Sequence, residues 1–110
     1  MKLREDEERY ERARQRKLQK CEEIRRELSS KEAEKSGKES ELSRKESELR
    51  SLEGEKQAVH WMDPEHDRIT ADIDSRIRSV EGDISSLERD ISSLDSDIRS
   101  LESDYNSAGY

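Results

Sequence analysis

Phenylalanine is absent from this chain of 110 residues, proline and cysteine occur once each, glycine four times, and aromatic side chains make up 4%. With 27% apolar residues and 46% charged ones, there is too little hydrophobic volume for the round core that a domain of this length ordinarily builds. The lone Cys21 excludes an intramolecular disulfide framework and is compatible with a reducing compartment. No apolar run approaches the roughly 20 residues that a membrane-spanning helix needs. The opening MKLREDEERY also lacks the apolar segment of a secretory signal. These absences predict a soluble protein that begins in the cytoplasm and has no membrane partner.

What remains is either disorder or extended helix. Periodicity decides for helix. From Ile77 to Asp104 the chain reads IRSVEGD ISSLERD ISSLDSD IRSLESD, four sevens with aliphatic residues at the first and fourth places. The apolar series Ile73, Ile77, Val80, Ile84, Leu87, Ile91, Leu94, Ile98, Leu101, Tyr105 advances by alternating steps of four and three. Writing the seven places a to g, with Ile77 at a, this is a coiled-coil seam with Ile at a and Leu or Val at d.

The first half carries the same module in degraded form, CEEIRRE LSSKEAE KSGKESE LSRKESE LRSLEGE, so that the halves resemble copies. Its a and d places are Cys21, Ile24, Leu28, Lys31, Lys35, Lys38, Leu42, Lys45, Leu49, Leu52, Lys56 and Val59. Five of these twelve are lysine. Charge is segregated accordingly: residues 1 to 59 hold 17 basic and 16 acidic side chains, and residues 60 to 110 hold 5 and 13. The halves are electrostatic complements.

Between them lies AVHWMDPEHD. Asp63 supplies an N-cap, Pro64 a pre-set φ for the first helical position, and Glu65 an acid in the first turn. Pro64 also prevents the preceding helix from running straight through. The expected fold is all-α: one domain, residues 1 to 110, forming an antiparallel two-helix coiled-coil hairpin. Its helices are expected at about 2 to 60 and 63 to 106, with a short turn at Trp61, Met62, Asp63 and Pro64. Folding back places Leu49 by Val80, Leu42 by Leu87 and Leu28 by Leu101, and leaves residues 1 to 20 overhanging.

The e places Glu81, Glu88, Asp95 and Glu102 and the g places Asp83, Asp90, Asp97 and Asp104 make both margins of the second-half seam acidic. A parallel pair of such segments would set like charges together. A lysine at a or d instead lays its methylenes over Ile or Leu while its ammonium reaches a flanking carboxylate. The acidic margins therefore select the lysine-bearing helix of the same chain and discourage self-pairing of the later arm. The predicted interaction seam comprises Leu28, Lys31, Lys35, Leu42, Lys45 and Leu49 on one side, and Ile77, Val80, Ile84, Leu87, Ile91, Leu94, Ile98 and Leu101 on the other. Because lysine layers leave the opposite aliphatics half covered, an open strip is expected to admit a helical partner or a second copy.

Other constellations have simpler readings. His60, Asp63, His66 and Asp67 straddle a helix break and match no metal-ligand spacing, so capping and turn polarity account for them and no metal or cofactor is expected. Cys21 occupies an a place as small core filler. The basic run RARQRKLQK is flanked by Glu5, Asp6, Glu7, Glu8, Glu11, Glu22 and Glu23, unlike a DNA-reading helix that leads into a zipper. Trp61 and Met62 are read as a plug over Val59 and Thr70, with a recognition tip as the functional alternative. No pocketed carboxylate pair, glycine-rich phosphate loop or Ser, His and Asp set is present to suggest an enzyme.

Two helices in about a hundred residues, a Trp in the central turn and an Asp-Pro restart resemble the small helical-hairpin proteins of type VII secretion. These include the Trp-x-Gly proteins and the accessory partners of Leu-x-Gly toxins; here the turn reads Trp61-Met62-Asp63. The resemblance implies a toxin-partner or secretion-targeting role, and export without a signal peptide. The expected function is thus a non-enzymatic protein-interaction module, with a homo-oligomeric structural spacer as the alternative and nucleic-acid binding as a distant third.

Overall fold

The computed structural model describes residues 2 to 108, with side chains from residue 4. The described residues form an all-α hairpin of two helices, α1 (Lys2–Ala58) and α2 (His66–Ser107). Both are far longer than the average helix of a compact domain. Neither could be held by propensity alone in so charged a chain, and each is stabilised along the stripe it buries.

The turn differs in detail from the sequence expectation. α1 stops at Ala58 rather than near residue 60, and α2 begins at His66 rather than at residue 63. Asp63 is nevertheless the cap: its Oδ1 accepts a hydrogen bond from the Glu65 amide at 2.8 Å. The His66 amide donates to the Asp63 carbonyl at 2.9 Å, three residues back, and only at Ile69 does the i to i−4 ladder begin, onto Glu65. The first turn is wound as a tighter 3₁₀ turn, a common form of helix entry, and regular helix therefore starts later. Thr70 Oγ1 donates a further hydrogen bond to the His66 carbonyl at 2.8 Å, one turn back along α2.

The chain divides into two compact units. The unit containing the turn, Lys35–Ser93, is centred on buried Leu52, Ile73 and Val80, with Leu49, Val59, Ile69, Ile77 and Ile84 packed around them. Leu49 thus lies in the same cluster as Val80, as the expected pairing requires. Leu87 is buried and Leu42 half-buried in this unit. In the other unit, Met1–Glu34 with Leu94–Tyr110, the buried side chains are Cys21 and Ile24 from α1 and Leu94 and Ile98 from α2. Leu28, Leu101 and Tyr105 are half-buried there. Each fully buried Leu or Ile contributes on the order of 1.5 to 3 kcal/mol.

Candidate interaction surfaces

In the unit containing the turn, lysines of the α1 seam reach acids beside the α2 seam. Lys45 Nζ lies 3.1 Å from Asp83 Oδ2, and Lys38 Nζ lies 3.5 Å from Asp90 Oδ2. Both lysines occupy d places and both acids g places. Lys56, at an a place, instead pairs with Asp74, at an e place, at 2.7 Å. The other unit follows the same rule, d to g, with Lys31 Nζ 3.6 Å from Asp97 Oδ2. Lys35 bonds along its own helix to Glu39 at 3.7 Å. Lysines at d thus cross to g, and Lys56 at a crosses to e.

Asp83 accepts a hydrogen bond from Lys45, and Glu48 adds its charge at 3.6 Å; together they hold the Lys45 ammonium above the ordinary lysine range. Near the far end of α2, the Arg25 guanidinium donates to the Tyr105 hydroxyl at 3.0 Å and lies 5.9 Å from the ring centroid. That bond, before any charge effect, raises Arg25 further above its ordinary value. Tyr105 belongs to the predicted seam, whereas its contact with Arg25 is not among the sequence expectations. Arg25 follows a seam residue directly, and such a flanking cation opposite an aromatic seam residue was the available signal.

Trp61 and Met62 are not the plug that the sequence suggested. They are 76% and 66% exposed. The reason lies in the backbone: the Asp63 amide donates to the His60 carbonyl at 3.0 Å, closing a four-residue turn in which Trp61 and Met62 are the two central residues. Central residues of such a turn project away from the chain they reverse. The Met62 amide is also held by His60 Nδ1 at 3.1 Å, and the His60 ring stacks near Trp61 with centroids 6.1 Å apart. Val59 and Ile69 close the turn end of the core in their place.

Ile77, Ile84 and Ile91 are half-buried, the half coverage that lysine layers imply, and no seam residue is among the exposed large apolar side chains. Those side chains, among the described residues, are Tyr10 and Leu18 on α1 together with Trp61 and Met62 at the turn. Residues 4 to 20 are exposed throughout, while burial begins at Cys21. This helical segment has no α2 residue opposite it among those described. It is the overhang that the seam arithmetic predicts.

The remaining candidates are engaged locally. His66 Nδ1 lies 3.2 Å from Asp67 Oδ1, and among the described residues no group of three His, Cys, Asp or Glu is arranged to hold a metal ion. A groove in the unit containing the turn is walled mostly by charge, with Glu53, Lys56, Asp74, Arg78 and Glu81 around Ile77. No helix among the described residues is long and apolar enough to cross a membrane. No protein-family model, curated protein or solved structure matches the chain.

Proposed function

We propose that this protein is a non-enzymatic, coiled-coil-type interaction module, an adaptor whose closed hairpin carries an unpaired helix for a partner with a helical surface. One observation carries the reading: residues 4 to 20 continue α1 as helix yet are exposed throughout, with Tyr10 at 70% and Leu18 at 43% exposure. A solvated helix presenting an aromatic and an aliphatic residue at this spacing suits helix-on-helix docking. The test is capture of partners by the intact chain and by a Tyr10→Ala, Leu18→Ala double variant. Capture should be lost while helix content and melting temperature stay unchanged. Capture that survives, or that depends on the buried seam instead, removes this reading in favour of the spacer, in which seams of several chains close one another.

Exposed Trp61 and Met62 favour a second reading, the one implied by the likeness to type VII secretion proteins. The module would then be an accessory or targeting partner of a larger helical protein such as a secreted toxin, with the turn as a recognition tip. Trp61→Ala should abolish binding to such a helical domain and leave the hairpin intact. Unchanged binding would remove the turn from the contact.

A further inference from the structure

The overhang has an internal charge division. Residues 5 to 11 hold five acids and one arginine, whereas residues 12 to 20 hold five bases and no acid. Continuing the heptad back from Cys21 places Arg14 and Glu7 at a, Lys17 and Tyr10 at d, Glu11 at e and Asp6 at g. The hairpin itself shows how such places pair when helices run in opposite directions. A basic d residue crosses to an acidic g residue, as Lys31 does to Asp97, and a basic a residue crosses to an acidic e residue, as Lys56 does to Asp74.

We infer that residues 4 to 20 dock antiparallel on the same segment of a second copy. The inference rests on the reading of this segment as a docking helix and names its partner. With Tyr10 facing Arg14 of the second copy, Lys17 faces Glu7 and reaches Asp6, a d to g pair, while Arg14 reaches Glu11, an a to e pair. The twofold symmetry repeats each contact. Arg14 over Tyr10 reproduces the arginine-on-tyrosine contact that Arg25 and Tyr105 already make. On the helix's other side, Arg12 is turned to Glu8 at 3.7 Å. Parallel pairing is disfavoured by the same residues, because it sets Lys17 against Lys17 and Asp6 beside like charge.

The overlap is short. Seventeen helical residues span about 26 Å at 1.5 Å per residue, so the contact falls at the low end of specific interfaces and is an exchanging, charge-dependent association. Raising salt to about 1 M shortens the screening length to about 3 Å and dissolves it.

The experiment is light scattering with a dilution series on the full chain at low and high salt. It includes an acidic variant, Arg14→Glu with Lys17→Glu, and a basic variant, Asp6→Lys with Glu11→Lys. The wild type is expected to approach twice 12.9 kDa at low salt and to return to 12.9 kDa at high salt. Each variant alone should dissociate at least tenfold more readily, their mixture should recover the paired mass, and the four substitutions in one chain should restore self-association. A wild type that stays at monomer mass at about 100 µM and low salt overturns the inference. So does a dimer that ignores both variants. Where self-association fails but Tyr10 and Leu18 are still required to capture another protein, the docking-helix reading stands and only self-pairing falls. Where neither occurs, both fall.

Discussion

Lys45 and Asp83 sit across from one another with Nζ 3.1 Å from Oδ2. The pair is half solvated, with 29% and 52% of the two side chains exposed. Exposed ion pairs add little to stability but discriminate strongly against like-charge alternatives. The lysine seam thus trades core hydrophobicity for choice of partner and of alignment. A slip of one heptad one way would set Lys45 against Arg76. A slip the other way would keep every ladder lysine opposite an acid, Lys56 meeting Glu81 in place of Asp74, so the short turn, not the ladder, fixes the count.

Reversing one member of a ladder pair should be costlier than removing it. Lys38→Asp sets a carboxylate against Asp90, and the melting temperature followed by helical circular dichroism should fall at low salt. Asp90→Lys alone should also lower it. The two together should recover most of the loss, and the coupling should shrink in high salt. Simple additivity of the two changes would mean that the contact at 3.5 Å carries no interaction.

The Lys45 contact also responds to high pH. Because Asp83 holds the Lys45 proton more tightly in the folded chain than water does in the unfolded one, the folded value is raised. That contribution is complete below the ordinary lysine value near 10.5 and disappears as pH rises through the folded value. Arginine stays charged across this window. Lys45→Arg should therefore melt closer to the wild type at neutral pH than at pH about 11, where it should be the more stable of the two. Parallel curves for the two proteins would refute the assignment to Lys45.

The hairpin, its alternation of buried places and the chain reversal at Pro64 are legible in sequence because each depends on local spacing. Val80, Leu87, Leu94 and Ile98 occupy the predicted seam and are buried. The fate of Trp61 was not legible. Whether an aromatic residue beside a break folds inward depends on whether it is the end or the centre of the turn. A hydrogen bond between His60 and Asp63 decides that, and neither residue type demands it. The late start of α2 has a similar origin, since Asp-Pro announces a cap but not the winding of the turn after it. The self-complementarity of residues 4 to 20 needed the crossing rule from the folded ladder before the charges of the overhang could be matched.

Burial separates the two parts of α1 and α2 energetically. Leu87 is 6% exposed, and Leu87→Ala should cost about 2 to 3 kcal/mol, which lowers the melting temperature of a chain of this size by roughly 10 to 20 °C. Leu18→Ala, at a residue 43% exposed, should change monomer stability by less than about 0.5 kcal/mol. Chemical denaturation of both variants checks this. A comparable loss at Leu18 would show that the overhang is already packed against something in the monomer.

Glycine offers the converse change. Gly37, Gly54 and Gly82 lie within the helices, and a Cβ added at any of them would meet nothing within 4 Å. The helix interior disfavours glycine by about 1 kcal/mol relative to alanine, through the backbone freedom that the unfolded chain keeps. Gly54→Ala and Gly82→Ala, on the solvent side of the two arms, should each raise stability by up to about 1 kcal/mol. Because neither added Cβ would meet another side chain, their effects should add. Their unfolding slopes against denaturant should match the wild type, since no buried surface changes. A loss of stability in either variant would require a backbone conformation at that residue that a side chain cannot adopt, and so a break in a helix that is continuous through that position.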